Sequence, residues 1–577
     1  MRTPSTARLY KNRQGSGALG SAISASQVIH RVTRWPGQEA HGQQSKIPTL
    51  VWYDADKKAV SFGAEAELHT IEEQAEEGGW FLAKYFKLHL HPNDMQAKHE
   101  LKLDDLPPGV TLRQIYTDFL GYLLKHTKSY FVDRILDGRQ IWERYSPTME
   151  VIIAHPNGYG LTQQAFLRSC AVSAGFATAE SAQGKIRFVT EAEASVHFCI
   201  HHTNLGNVLQ PGTNFAVCDA GGSTVDTTLY SVISARPVLK LKEQRASACV
   251  QAGAIFVDFE AEKFLHQTMT DAGLDPDDVA EYTKTGVKDF ESFVKRAFKD
   301  ETPDQSIVIA HTRFNNTAIR ARRGRMTLSG STIKGFFDVC VKEIASSVDQ
   351  QLDGYQVPYI ILVGGFGDSS YVRNQLQSRY EPGGSQITLT NDSTSKAVAD
   401  GAVIWGTLSS VHSRAPRYSF GVAIRIPFKP EIHHPRRPYT CSVSGEKMVS
   451  GAWSQIVQKG VVLDSEVVCR STYFKDYSTA TPNLESFTYN LLAYSGDDCP
   501  KWVRDLDGNM CPGFQETCTI RGNLQNLRGA LKSFTGRNGS RYWSVEFDVC
   551  VRFGGTELES YMEWMENASI HRPTAFS

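Results

Sequence analysis

The chain contains no Cys-x-x-Cys pair, no apolar run of about 18 residues and no excess of either charge. Each absence excludes a class of protein. Eleven scattered cysteines, an odd number, do not make a disulfide framework and fit reduced thiols in a cytoplasmic protein. Without a long apolar run, no membrane span and no membrane partner are expected. With 61 basic and 62 acidic residues, no overall field draws the chain to nucleic acid or to an anionic membrane. Low-complexity tracts and strict repeats are also absent. The first 34 residues contain no aspartate, and the first acid of any kind is Glu39. That opening lacks the apolar core of a secretory signal; it is basic and rich in hydroxyls, the texture of a mitochondrial transit peptide, which is the minority reading.

The charge balance has one local exception. RARRGR, Arg320 to Arg325, is a basic cluster. A solvated loop is its first expectation, and a phosphate or nucleic-acid patch its second. Other motifs carry less. GSGALG at Gly15 to Gly20 has dinucleotide spacing, but no strand precedes it. DLDGNMCPGFQE, Asp505 to Glu516, resembles a calcium loop with Met510 in the glycine position. Cys499, Cys511 and Cys518 have the wrong spacing for zinc. The pairs His201–His202 and His433–His434 lack convergent partners, and Asn538 and Asn567 matter as glycosylation triplets only after secretion.

What is present is an alternation of strands and helices. Residues 1–45 read as irregular. From Ile47 come two short strands and a helix entry, then the helical LRQIYTDFLGYLLKHT. EVIIAHP, LTQQAFLRSCAVSAGF, KIRFVT and EAEASVHFCI then alternate strand and helix, which predicts an α/β domain. FFDVCVKEIASSVDQQL is a core helix, and TSKAVADGAVIWGTL the last one, ending near residue 410. Beyond it the segments shorten and alternate, which predicts a β-rich domain over 411–577.

Two glycine turns carry the chemistry. In AVCDAGGSTVDTTLY an apolar strand ends at Asp219, bends at Gly221 and Gly222, and resumes at Asp226. The glycines let phosphate oxygens approach backbone N–H groups; Ser223 and Thr224 add hydroxyls. Asp219 is placed to hold a magnesium-bound water or to orient an attacking one, with Asp226 behind it. A tight hairpin serving only its bend is the competing reading. In ILVGGFGDSS a buried strand enters Gly364, Gly365 and Gly367, with Ser369 or Ser370 to cap the next helix. Two such turns about 140 residues apart in an α/β frame are far more specific than either alone.

The pair resembles the phosphate and adenosine motifs of the actin-like ATPase superfamily, and specifically of the 70-kDa heat-shock chaperone family, in a divergent branch. The resemblance is colinear from about residue 46 to 410. FVTEAEAS is similar to the first connecting helix and AVADGA, Ala397 to Ala402, to the second; FESFVKRAF is similar to the adenine-side helix. It implies a two-lobed, ribonuclease H-like domain over 46–410 with Asp219 and Gly365 facing each other across a cleft. It implies ATP or ADP and Mg2+ as cofactors, with Asp219, Lys87 and Glu191 as catalytic residues. Nucleotide contacts are implied for Gly221, Gly222, Ser223, Thr224, Glu291, Lys295, Gly364, Gly365 and Gly367, and metal contacts for Asp219 and Asp226. Glu291 and Lys295 lie four apart on one helix face, so both can reach one ligand edge. For Lys87 a solvated helix lysine competes.

One piece of the family pattern is missing: an Asp-Phe-Gly-Thr-Thr type hairpin before Trp35. Ser223 also replaces the third glycine of the phosphate turn, and Asp368 replaces an arginine. The resemblance therefore implies ATP-dependent, chaperone-like binding of client polypeptides or co-chaperones with impaired hydrolysis. A scaffold that keeps nucleotide without turnover is the alternative, and a sugar or metabolite kinase the third.

Overall fold

The computed structural model describes residues 6–9, 29–39, 46–92, 105–202, 205–235, 239–389, 397–408, 411–433, 438–485, 487–522, 525, 531–554, 557–566 and 569–571. GSGALG, His434 and Asn567 lie outside the described residues. The chain divides into two compact units, Met1–Leu241 with Ser247–Ser410, and Lys242–Ala246 with Val411–Ser577.

In the first unit, β1 (Thr6–Leu9), β5 (Glu150–His155) and β6 (Ile186–Thr190) form one sheet in the order β1-β5-β6. A second sheet has the order β3-β2-β4, from β2 (Leu50–Tyr53), β3 (Ala59–Phe62) and β4 (Phe81–Lys84). The long helices here are α1 (His69–Gly78), α2 (Leu112–Arg134), α3 (Gly138–Tyr145), α4 (Leu161–Ser173) and α5 (Glu191–His202). Residues 1–45 are thus not wholly irregular. β1 pairs antiparallel with β5, Thr6 opposite Ile153, because β5 otherwise offers a free edge of backbone donors and acceptors. Farther on, Arg31 pairs with Asp400 at 2.7 Å and Trp35 stacks on His126 at 4.2 Å.

The central sheet of this unit is built on β7 (Asn214–Ala220) and β8 (Val225–Ser234). β9 (Lys240–Glu243) follows, and β10 (Ala248–Val250) pairs with β8. A three-stranded sheet, β11 (Gln305–Val308), β12 (Ala321–Arg322) and β13 (Arg325–Leu328), has the order β11-β13-β12. β14 (Tyr359–Val363) runs parallel to β7 on one side and to β15 (Gln386–Leu389) on the other. Near-continuous apolar runs such as FAVC and IILV mark strands covered on both faces. α8 (Gly330–Leu352) and α9 (Ser370–Tyr380) pack on this sheet, α6 (Ala254–Asp271) packs on α8, and α7 (Pro276–Asp289) packs on α6 and β11. Phe337, Cys340, Ile344 and Val348 of α8 are buried with Leu265, Leu229 and Leu362 in one core. The last helix, α10 (Ala397–Leu408), packs on α5. Gly401 makes that approach feasible: a Cβ there would lie 1.8 Å from the carbonyl oxygen of Ala194. This mixed α/β architecture is compatible with the expected actin-like ATPase fold.

The second unit is β-rich. β17 (Ser419–Pro427), β18 (Tyr439–Thr440), β19 (Lys447–Val457), β22 (Phe487–Tyr494) and β23 (Phe514–Gly522) form a sheet in the order β18-β19-β17-β22-β23. β21 (Val468–Tyr477), β25 (Arg541–Gly554), β26 (Glu557–Glu566) and β27 (Ser569–His571) form another, with β24 (Lys532–Thr535) on β25. β16 (Val411–Arg414) and β20 (Leu463–Asp464) make a short pair. Phe487, Phe547 and Trp564 share a core, as alternating strands require. Among the described residues, no helix is long and apolar enough to cross a membrane.

Candidate functional site

β7 is an uninterrupted buried strand until it meets Asp219 and Ala220. The chain then reverses through residues 221–224, closed by Gly221 N–H donating to the Thr224 carbonyl at 2.9 Å. β8 returns antiparallel and places Asp226 directly opposite Asp219. The turn is backed by α6: a Cβ on Gly253 would lie 2.4 Å from Gly222 and Ser223 backbone atoms. Ala254 and Ile255 N–H donate to the Gly221 and Gly222 carbonyls at 3.2 and 2.9 Å. Among the described residues, the Gly222 and Ser223 amides have no backbone acceptor. The Ser223 and Thr224 side chains are themselves buried in the turn.

The second glycine turn is fastened to the first. β14 lies parallel to β7 with Val363 beside Asp219, and Gly364 has φ +86°. A Cβ on Gly364 would come within 2.4 Å of the Ala220 oxygen and 2.5 Å of Asp219 Oδ1. Phe366 and Gly367 N–H both donate to the Ala220 carbonyl, at 2.9 and 3.2 Å. This corrects one expectation. Asp219 and the Gly364–Gly367 turn do not oppose each other across a cleft; they share one wall, because both end neighbouring parallel strands. Ser369 takes the N-cap position of α9, yet its side chain makes no capping bond and its Oγ is buried without a partner.

The carboxylates are nearly inaccessible to solvent. Asp219 is 4% and Asp226 1% exposed. Ser195 Oγ donates to Asp219 Oδ2 at 2.6 Å, and Asn157 N–H donates to Asp226 Oδ1 at 2.9 Å. Asp226 Oδ2 has no hydrogen-bond partner. Asn157 Nδ2 also donates to Thr228 Oγ1 at 3.2 Å, fixing HPNG against the hairpin. Burial first, then the charge of Glu191, pushes both carboxyls up to about 7; the Ser195 hydroxyl and Lys87 pull Asp219 partly back. Lys87 is not a solvated lysine. Its Nζ donates to Glu191 Oε1 at 2.9 Å, with both side chains largely buried.

The FESFVKRAF segment departs from a regular helix. Phe290–Val294 is a π turn, the kind of bulge often found at functional sites. Lys295 turns to Asp258, Nζ to Oδ2 at 2.5 Å, leaving half-exposed Glu291 at 4.0 Å. The two side chains remain within ion-pair distance of each other on this segment. Asp258, Ser195 and Asn157 were missed by sequence reasoning. QAGAIFVD, EAEAS and HPNG contained them, but only tertiary packing gives them partners.

Three acids with a single lysine in a buried setting favour a bound cation. Asp226 Oδ2, buried without a hydrogen-bond partner, fits a cation ligand, while the space beside Gly364 is filled by Ala220 and Asp219 atoms. Among the described residues no group of three His, Cys, Asp or Glu side chains could hold a metal ion. Water and phosphate would therefore have to supply most ligands, as is usual for magnesium. In the 505–516 segment, too, no such group of three occurs among the described residues, and the Asp505 carboxylate accepts Asp507 and Asn509 N–H in a local turn.

The raised carboxyls make a stability prediction. Their folded values lie above the unfolded value of 3.8, so the folded chain holds protons that the unfolded one releases. The pair's stabilising contribution is complete below about pH 4 and is lost as pH rises toward 7. Asp226→Asn is expected to raise the Tm relative to the native chain at pH 8, by a free energy on the order of 4 kcal/mol, and to leave it unchanged near pH 4. Calorimetry across that range checks it; a difference independent of pH would contradict the assignment.

No family model matches the chain. It is 20% identical to the human heat shock 70 kDa protein 12A over 94% of its own length and 87% of that protein. The mouse 12A protein and the human heat shock 70 kDa protein 12B give the same identity and the same coverage. The similarity to the heat shock 70 kDa proteins 12A and 12B is thus weak in identity and nearly complete in extent.

Proposed function

We propose that residues 46–410 bind an adenine nucleotide with magnesium, that the 577-residue polypeptide turns ATP over slowly, and that residues 411–577 bind partner polypeptides. The observation that carries this reading is the Asp219–Asp226 pair beneath two interlocked glycine turns. Phosphate oxygens would be met by the Gly222 and Ser223 amides. Lys295, held by Asp258, and Glu291 would lie on the nucleoside side with Gly364, Gly365 and Gly367. Asp219, oriented by Ser195, would accept a proton from an attacking water; Lys87, held by Glu191, would stabilise charge on the phosphoryl oxygens. Magnesium, when bound, supplies positive charge that polarises the phosphoryl group. Slow turnover is part of the proposal because Ser223 stands in place of the third glycine of the phosphate turn.

A fluorescent ADP analogue tests the reading. Saturable binding that falls on adding EDTA is expected, and Lys295→Ala should weaken it roughly tenfold, the loss of about one charge-assisted contact. Folded protein that shows no binding at millimolar analogue would refute it.

A further inference from the structure

The RARRGR cluster is not the loose loop that its composition suggests. Arg322 and Arg325 close a two-residue hairpin between β12 and β13, with Arg323 and Gly324 at its tip at φ 53° and 72°. Both positive angles make this the tight turn that favours Asn-Gly. Arginine at the first position is strained, and Arg320 is left-handed too, at φ 53°. Arg322 and Arg325 are also directly opposite each other, a like-charge pair that disfavours the hairpin.

The tip is nevertheless held firmly. A Cβ on Gly324 would lie 2.2 Å from the Ala310 oxygen. Ile309 and Ala310 N–H donate to the Gly324 carbonyl, and Gly324 N–H donates to Phe314 O at 2.8 Å. Arg323 N–H donates to Asn315 Oδ1 at 3.0 Å, and Asn315 Nδ2 to Arg313 O at 3.0 Å. The 309–315 loop and the hairpin therefore form one block that presents Arg313, Arg322 and Arg323 outward, all three exposed. From Gln305 to Ile333 there are five arginines and no acid. Arg320 is paired with Asp304 at 2.7 Å and Arg325 bonds Ser306. Among the described residues Arg313, Arg322 and Arg323 have no carboxylate partner.

We propose that this block is a docking surface for a short acidic segment of a partner protein. Strain and repulsion kept in a rigid turn point to a ligand that repays them. Guanidinium groups receive carboxylates in paired hydrogen bonds, and an all-arginine surface suits that geometry better than lysine. Three uncommitted charges match a few acidic side chains. A nucleic acid fits less well, because Phe314 packs on Tyr282 at 5.0 Å and leaves the small His311 imidazole as the exposed ring of the loop. An anionic membrane fits less well, because no exposed large apolar side chain falls within residues 305–328.

The test measures binding of a fluorescein-labelled hexaglutamate peptide to the full chain by anisotropy. Parallel titrations use a twelve-residue oligothymidylate and vesicles with one-fifth phosphatidylserine. Binding of the peptide that strengthens at low salt is expected. Arg313→Ser/Arg322→Ser/Arg323→Asn should weaken it roughly tenfold. Arg323→Asn alone should weaken it about threefold while the Tm holds or rises, since asparagine suits the left-handed position. Peptide affinity unchanged in the triple variant and in Arg323→Asn overturns the proposal. So does tighter binding of the oligonucleotide or the vesicles through the same arginines.

Discussion

Gly401→Ala is expected to destabilise the first unit by about 3 kcal/mol or more, the range of substitutions that overpack a closed interface. The added Cβ would lie 1.8 Å from the Ala194 carbonyl oxygen and 2.6 Å from its carbon. Both are backbone atoms inside α5, so no rotamer change can relieve the contact. The helices must separate instead. Separation opens the small core of Ile152, Ala154, Val189, Ala402 and Trp405. It also pulls Trp405 Nε1 away from Glu193 Oε1, a buried bond of 2.7 Å. A second glycine provides the control. Gly335, inside α8, has nothing within 4 Å of its would-be Cβ, so Gly335→Ala should stabilise by roughly 0.5–1 kcal/mol through helix propensity. Urea unfolding of both variants gives the comparison, and a Gly401→Ala protein as stable as the native chain would show that α5 and α10 do not pack this closely.

Both glycine turns could be read from sequence because each follows a strand buried on both faces, and such strands leave long apolar runs. The chemistry at their ends was legible for the same reason: a charged Asp219 closing an apolar run has few structural uses. What stayed hidden depends on which strands become neighbours. Nothing in ILVGGFG states that β14 will lie beside β7, so the turns were expected to oppose each other rather than interlock. Ser195 and Asn157 reach the carboxylates from α5 and from the loop after β5, 24 and 69 residues away in sequence. The Phe290–Val294 π turn was invisible because FESFVKRAF has an ordinary helical pattern, and Asp258, the partner of Lys295, lies 37 residues away in sequence. TARL is too short and too weakly patterned to announce a strand, and it becomes one only against the edge of β5.

Asp219→Asn should separate binding from chemistry at the proposed site. The substitution keeps shape, and the Ser195 hydroxyl can still donate, now to the amide oxygen, so the hairpin should fold unchanged. It removes a buried negative charge that Glu191 already disfavours, so the ligand-free chain at pH 8 should be no less stable than the native one. Affinity for the ADP analogue should change by only a few-fold, because the Gly222 and Ser223 amides, Lys295 and the Gly364 turn remain. Whatever slow turnover the native chain has should fall by roughly a hundred- to a thousandfold, the usual cost of removing one preorganised group that acts on developing charge. Single-turnover phosphate release, measured beside analogue binding, distinguishes the outcomes. Equal loss of binding and turnover would make Asp219 a structural anchor of the phosphate turn. Turnover unaffected by the substitution would move the chemistry away from β7 altogether. Turnover lost with binding retained ties the proton or metal to this one carboxylate, since Asp226, 1% exposed and already bonded to the Asn157 amide, is poorly placed to replace it.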